Sequence, residues 1–221
     1  MSAETPNLGE FDLIQRFFVR HAANAAQSGV VLGIGDDAAV LTLPPDTELV
    51  AAIDTIVAGR HFPQGTDARS VGHRALAVNL SDMAAMGATP AWATLALTVP
   101  SVDVAWLERF AAGFLDLADA NGVLLVGGDT TRGPLTVSVQ IMGYVPRGAA
   151  LRRSGARAGD LLAVTGTLGD AGAGLHFVTT PPTAKTRLAA LEELKSHRKP
   201  NRTQAAPPPQ TEKPPSAPPQ S

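Results

Sequence analysis

Four acid-bearing segments lie between residues 33 and 133: GIGDDAAV at 33–40, AAIDTIVAG at 51–59, NLSDMAAMGA at 79–88 and GGDTTRG at 127–133. In each, a carboxylate stands beside Gly, Ser or an apolar run, with no Lys or Arg in the same turn. Arg132, three residues after Asp129, is the exception. Carboxylates that converge without basic partners raise one another's pKa unless a bound cation supplies the missing charge. Mg²⁺ suits such a set, because it takes one or two carboxylates, keeps waters and completes its octahedron with phosphate oxygens. The chemistry these spacings point to is Mg²⁺-dependent phosphoryl transfer.

Each segment also has an ordinary structural reading. Asp36 and Asp37 follow a short apolar run at a Gly turn, where Asp serves as turn chemistry. Asp54 ends an apolar strand, and Asp82 sits mid-helix between Leu80 and Met83, with Asn79 and Met86 three and four residues away. GGDTTRG offers backbone N–H groups beside glycine that can cradle phosphate, or a plain hairpin turn; it matches neither the Walker lysine loop nor GxGxxG. His61 is a structural group or a ligand. Arg152 and Arg153 face phosphate or solvent.

The elements that must position these residues alternate between strand and helix. Glu10 to about Ala26 reads as a helix, LVAAID (49–54) as a strand, and 67–87 as a helix stopped by Gly87. Residues 91–99 form a strand, and a helix capped by Asp103 runs to about Ala120, ended by Asn121-Gly122. VLLVGG (123–128) and 135–145 are strands, with LLAVTG (161–166) opening another before the Gly-rich LGDAGAG. The order β-α-β-α-β-β predicts an α/β (α+β) fold: an N-terminal mixed sheet with helices on one side over residues 1–148. A second α/β domain begins at 149–180.

Residues 181–221 are a different material. All 21 Gly lie at or before Gly174, and ten of the 18 Pro fall in the last 41 residues. TAKTRLAALEELKSHRK is short-helix material; the Pro-rich end beyond it has no apolar residue larger than Ala and is expected to be disordered with polyproline character. The net charge of −2 gives no sign of a nucleic-acid or anionic-membrane partner. Zero Cys excludes disulfides and thiolate metal sites and fits a reducing compartment. The polar N-terminus is not a signal peptide, and no apolar run approaches membrane-spanning length, so a cytoplasmic location is expected.

Taken together, GEFDLIQRFF, GIGDDAAV, DTIVAGRHF, ALAVNLSDMAAMGATPAWATLALTVP, LVGGDTTRGPL and RSGARAGDLLAVTGTLGDAGAGL resemble the thiamine-monophosphate kinases, over residues 9–175. The resemblance implies transfer of the γ-phosphoryl group of ATP to thiamine monophosphate, giving thiamine diphosphate, in a homodimer. Asp37, Asp54, Asp82 and Asp129 match the family's Mg²⁺ carboxylates. Gly128, Asp129 and Arg153 match its ATP contacts, and His61 a substrate contact. Ala52 and Ile53 stand where the family has a hydroxyl pair. The resemblance stops near residue 178, before the family's later acid-rich segment, as a truncation or frameshift would leave it. Alternatives are an impaired dimerisation or regulatory remnant of that kinase, or a sibling ATP-dependent synthetase of the same fold.

Overall fold

The computed structural model describes residues 16–18, 29–164 and 166–180. It falls into two units, Met1–Leu162 and Ala163–Ser221. Of the expected first helix only residues 16–18 are described, with Arg16 and Phe17 helical. The short helix expected after residue 182 and the Pro-rich tail lie outside the described residues.

In the first unit, β1 (Val30–Leu32) and β2 (Val40–Leu41) pair antiparallel as a small ribbon. Then follow β3 (Thr47–Val57), α1 (Ala68–Ala85), β4 (Thr89–Val99), α2 (Val104–Ala120), β5 (Leu124–Arg132) and β6 (Thr136–Pro146). The last four strands form one mixed sheet in the order β3-β6-β4-β5, antiparallel except for the β4–β5 pair. The expected α/β alternation is therefore present, with a helical crossover where two parallel neighbours need one.

Both helices begin at a capping aspartate. The Asp67 side chain accepts from the Ser70 N–H at 3.1 Å, and Asp103 from the Trp106 N–H at 3.1 Å. Asp67 also receives the Arg109 guanidinium of α2, tying the two helices together at one end. That hydrogen bond and the Ser70 N–H hold the Asp67 carboxyl below the usual carboxylate range. A lowered folded-state pKa stabilises the fold above the unfolded value, and the contribution is lost as pH falls through the folded one. Gly122, at φ 67°, follows the end of α2 in the left-handed conformation.

The helices meet at two glycines. A Cβ on Gly72 would lie 2.1 Å from the Phe110 carbonyl oxygen, and one on Gly113 2.0 Å from that of Arg69. α1 buries Val71, Ala75, Leu76, Asn79 and Met83, the i, i+3/i+4 stripe of one helical face. This stripe, the Phe110–Phe114 side of α2 and one face of the sheet make a single apolar core.

Register decides which residues share a face, since side chains alternate along each strand. Ile56, Val137, Val139, Ile141, Leu95 and Leu97 face the helices and are buried. The alternate residues point to the other face, which neither α1 nor α2 covers. There Leu49 is 54 % and Ile53 65 % exposed. At its far end Trp92 is buried, close to Gly29 at the foot of the ribbon, and Gly29 accepts from the Thr42 N–H at 2.7 Å.

Two expectations need correction. GGDTTRG is not a loop: β5 runs through it to Arg132, paired in parallel with Thr94–Val99. The ladder to β4 continues past the glycines, and the chain turns at 133–135, where the Gly133 N–H donates to the Val99 carbonyl at 2.9 Å. The strand expected over 161–166 does not form over 161–164, and Leu161 and Leu162 are 97 % and 100 % exposed. A strand needs a neighbour for its backbone groups, and the described residues supply none there. In the second unit, α3 (Asp170–Thr179) starts after Gly169, at φ 98°, and buries none of its residues.

Candidate functional site

Asp37 is exposed between β1 and β2, where its N–H donates to Asp36 Oδ1 at 2.8 Å. Asp54 is on β3, partly buried and paired with Val139, so it lies on the helix-facing side of the sheet. Asp129 is on β5, exposed and paired with Ala96, so it lies on the open side. Asp54, Val139, Leu95 and Gly128 form one row across the four strands; Thr55, Ser138, Ala96 and Asp129 form the next. Three strand spacings, roughly 14 Å, and the thickness of the sheet thus separate the two acids within one chain.

Gly128 is fixed by packing. A Cβ there would lie 2.0 Å from the Leu95 carbonyl oxygen, so only glycine lets β5 lie this close to β4. Among the described residues β5 is an edge strand, so alternate N–H groups of the GGDTTR run are turned away from the β4 ladder. The backbone that the sequence reading placed in a turn is thus part of a strand edge.

Asp82 lies in the last turn of α1, and Arg153 in a short 3₁₀ turn after β6. Leu151 brings these two regions together: its N–H donates to the Met86 carbonyl at 3.0 Å, and its side chain packs on Gly87. His61 follows β3 in a tight turn, where Nδ1 accepts from the Val57 N–H at 3.1 Å. In the neutral imidazole this bond puts the proton on Nε2, so the exposed edge of the ring is a donor.

Among the described residues the ion pairs are Arg16–Glu108, Arg69–Asp116 and Arg109–Asp67, all on helical surfaces. None involves Asp37, Asp54, Asp82 or Asp129. Arg132, the cation nearest Asp129 in sequence, instead turns its Nε–H to the Pro100 carbonyl at 3.2 Å. Among the described residues, these four acids therefore have no cationic partner, as the sequence suggested. They do not, however, assemble: among the described residues no three Asp, Glu or His are arranged to hold a metal. This donor set does not fit a cage made by one chain alone; it fits an ion that takes one or two carboxylates and draws its other oxygens from phosphate and water.

Two features escaped the sequence reading. The Thr55 and Ser138 hydroxyls meet at 2.8 Å in the row that ends at Asp129, giving the open face a polar band. Register alone brings them together, and no spacing in the sequence announces it. Asn79 is completely buried; its Nδ2 donates to the Ala75 carbonyl at 3.0 Å, while Oδ1 has no partner.

Residues 35–145 match the family model "AIR synthase related protein, N-terminal domain". The thiamine-monophosphate kinase of Escherichia coli (strain K12) is 53 % identical over 170 residues, which cover 77 % of this chain and 52 % of that protein. The crystal structure of thiamine-monophosphate kinase from Stenotrophomonas maltophilia K279a superposes with a TM-score of 0.70 at 50 % identity, covering 79 % of this chain and 54 % of that one. The structure "AaThiL complexed with AMPPCP and TMP" gives a TM-score of 0.58 at 31 % identity, covering 87 % and 60 %. The chain thus spans about half the length of the relatives it matches. Since the matched region runs from the Asp36–Asp37 turn to the end of β6 and takes in half of all residues, this chain belongs to the AIR synthase related family and carries its N-terminal domain.

Proposed function

We propose that this chain supplies the nucleotide- and metal-binding half of a thiamine-monophosphate kinase, which passes the γ-phosphoryl group of ATP to the phosphate of thiamine monophosphate. An oxygen of that phosphate attacks the γ-phosphorus, the bond to the bridging oxygen breaks, and ADP leaves with thiamine diphosphate as product. No general base is needed, because the attacking oxygen is already ionised at neutral pH. The observation that carries the reading is the set of four acids, Asp37, Asp54, Asp82 and Asp129, each without a cationic partner among the described residues, in a chain this similar to such kinases.

Asp37, Asp54, Asp82 and Asp129 hold Mg²⁺, which when bound neutralises the charge on the transferring phosphoryl group. The edge-strand N–H groups around Gly128 and Asp129 receive phosphate oxygens, and Arg153 adds a cation to the nucleotide. His61 Nε2–H donates to the acceptor substrate. Transfer then depends on bringing two polyanions into line, a matter of position and charge.

Asp129, on the open side of the sheet, is separated from Asp54 within one chain, which favours a site at Asp129 completed by the partner of a homodimer. The open face is the natural contact: Leu49 and Ile53 stand exposed beside the Thr55–Ser138 band. Zero Cys and the lack, among the described residues, of a helix long and apolar enough to cross a membrane are in keeping with a cytoplasmic enzyme.

Calorimetric titration with ATP, with and without Mg²⁺, tests the reading. Asp129→Asn and Asp82→Asn are each expected to weaken Mg²⁺-dependent nucleotide binding at least about tenfold; unchanged affinity in both rejects it. A second reading, a non-catalytic dimerisation module, is favoured by the lack, among the described residues, of a three-acid cluster. Thiamine diphosphate formed from ATP and thiamine monophosphate by the purified chain would eliminate it.

A further inference from the structure

Arg153 follows Leu151 by two residues and Asp82 precedes Met86 by four, and a backbone hydrogen bond joins Leu151 to Met86. The connection between Arg153 and Asp82 runs through the end of α1. Met86 closes the helix by donating to the Asp82 carbonyl at 3.1 Å, and Gly87 follows at φ 67°. The Leu151 N–H then donates to the Met86 carbonyl at 3.0 Å. A Cβ on Gly87 would lie 3.1 Å from Leu151 Cγ and 3.2 Å from Cδ1, so the leucine occupies the space that glycine leaves open. Beyond it Arg152 is extended, and the Arg153–Gly155 turn closes with the Gly155 N–H on the Arg152 carbonyl at 3.0 Å. Two residues of chain reach at most about 7 Å, so docking Leu151 confines Arg153 to this end of α1.

We propose that Leu151, seated on Gly87, is a positioning residue that fixes the Arg153 guanidinium relative to Asp82. It rests on the reading of Arg153 and Asp82 as phosphate and metal contacts of one nucleotide. A cation on a loose segment loses ordering entropy when it closes on a ligand; one already docked loses less, and the difference appears as affinity. Leu151 is 59 % exposed, so its side chain is a small part of the core.

The experiment is calorimetric titration of the full chain with ATP and Mg²⁺, with thermal unfolding measured in parallel. Leu151→Asn keeps the N–H bond to Met86 but loses the packing; it is expected to weaken nucleotide binding about tenfold while moving Tm little. Leu151→Met restores most of the affinity. In an Arg153→Ala background Leu151→Asn has no further effect, because residues acting through one contact are not additive. Full additivity, or an unchanged affinity for Leu151→Asn where Arg153→Ala binds weakly, overturns the positioning role and leaves the nucleotide reading standing. Unchanged affinity for Arg153→Ala, or a parent chain that binds no nucleotide, overturns both.

Discussion

The two faces of the four-stranded sheet are made from alternate residues of the same strands, yet they obey different rules. The face under α1 and α2 is apolar and closed, with Val139, Ile141 and Leu97 at or near zero exposure. The other face mixes exposed Leu49 and Ile53 with Thr55, Ser138 and Asp129. The first is specified by packing and the second by what it must meet. Asp54 breaks the pattern: it is an acid on the packed face, one row away from Asp129 on the open one.

The largest expected effects fall on the packed side. Phe114→Ala should lower stability by about 3–5 kcal/mol in urea unfolding, since it empties a completely buried site. Gly113→Ala should cost about 3 kcal/mol, although alanine is normally the better helix former, because the new methyl meets the Arg69 carbonyl. A stabilised Gly113→Ala would show that the helices slide apart freely and that their close crossing is unimportant. On the open side, proposed above as the dimer contact, Ile53→Asp should cost far less stability than the core variants while shifting the sedimentation coefficient from that of the proposed dimer to that of a monomer. A dimer that survives Ile53→Asp, with a loss of stability like that of a core variant, would erase the distinction between the faces.

Smaller effects refine the comparison. Asp103→Ala should cost about 1 kcal/mol through the lost cap of α2, with no change in association. For Asp67, stability should decline as the solution is acidified through its lowered pKa, and Asp67→Asn should flatten that part of the pH–stability curve. Asn79→Leu should stay within about 1 kcal/mol of the parent, because loss of the Ala75 bond is offset by removal of an unsatisfied buried oxygen.

The positions of α1 and α2, the Asp103 cap and the strand at β6 were legible in the sequence, because short-range hydrogen bonding and the burial of one face set them. β5 was read too short for a complementary reason. GGDTTR has the composition of a turn, but β4 lies alongside and its backbone groups overrule the local preference. LLAVTG failed the other way: its apolar residues suggest a strand, and residues 161–164 have no strand beside them.

The chain's residue types by themselves determined that several acids lack basic neighbours, that glycine punctuates the strands and helices, and that the chain changes material after residue 180. Tertiary structure alone decided that Asp54 and Asp129 sit on opposite sides of one sheet, that Gly128 lies on an edge strand, and that Leu151 brings Arg153 to the Asp82 end of α1. Strand order and register set those relations through hydrogen bonds between residues tens of positions apart, and no local preference encodes which strand will be the neighbour.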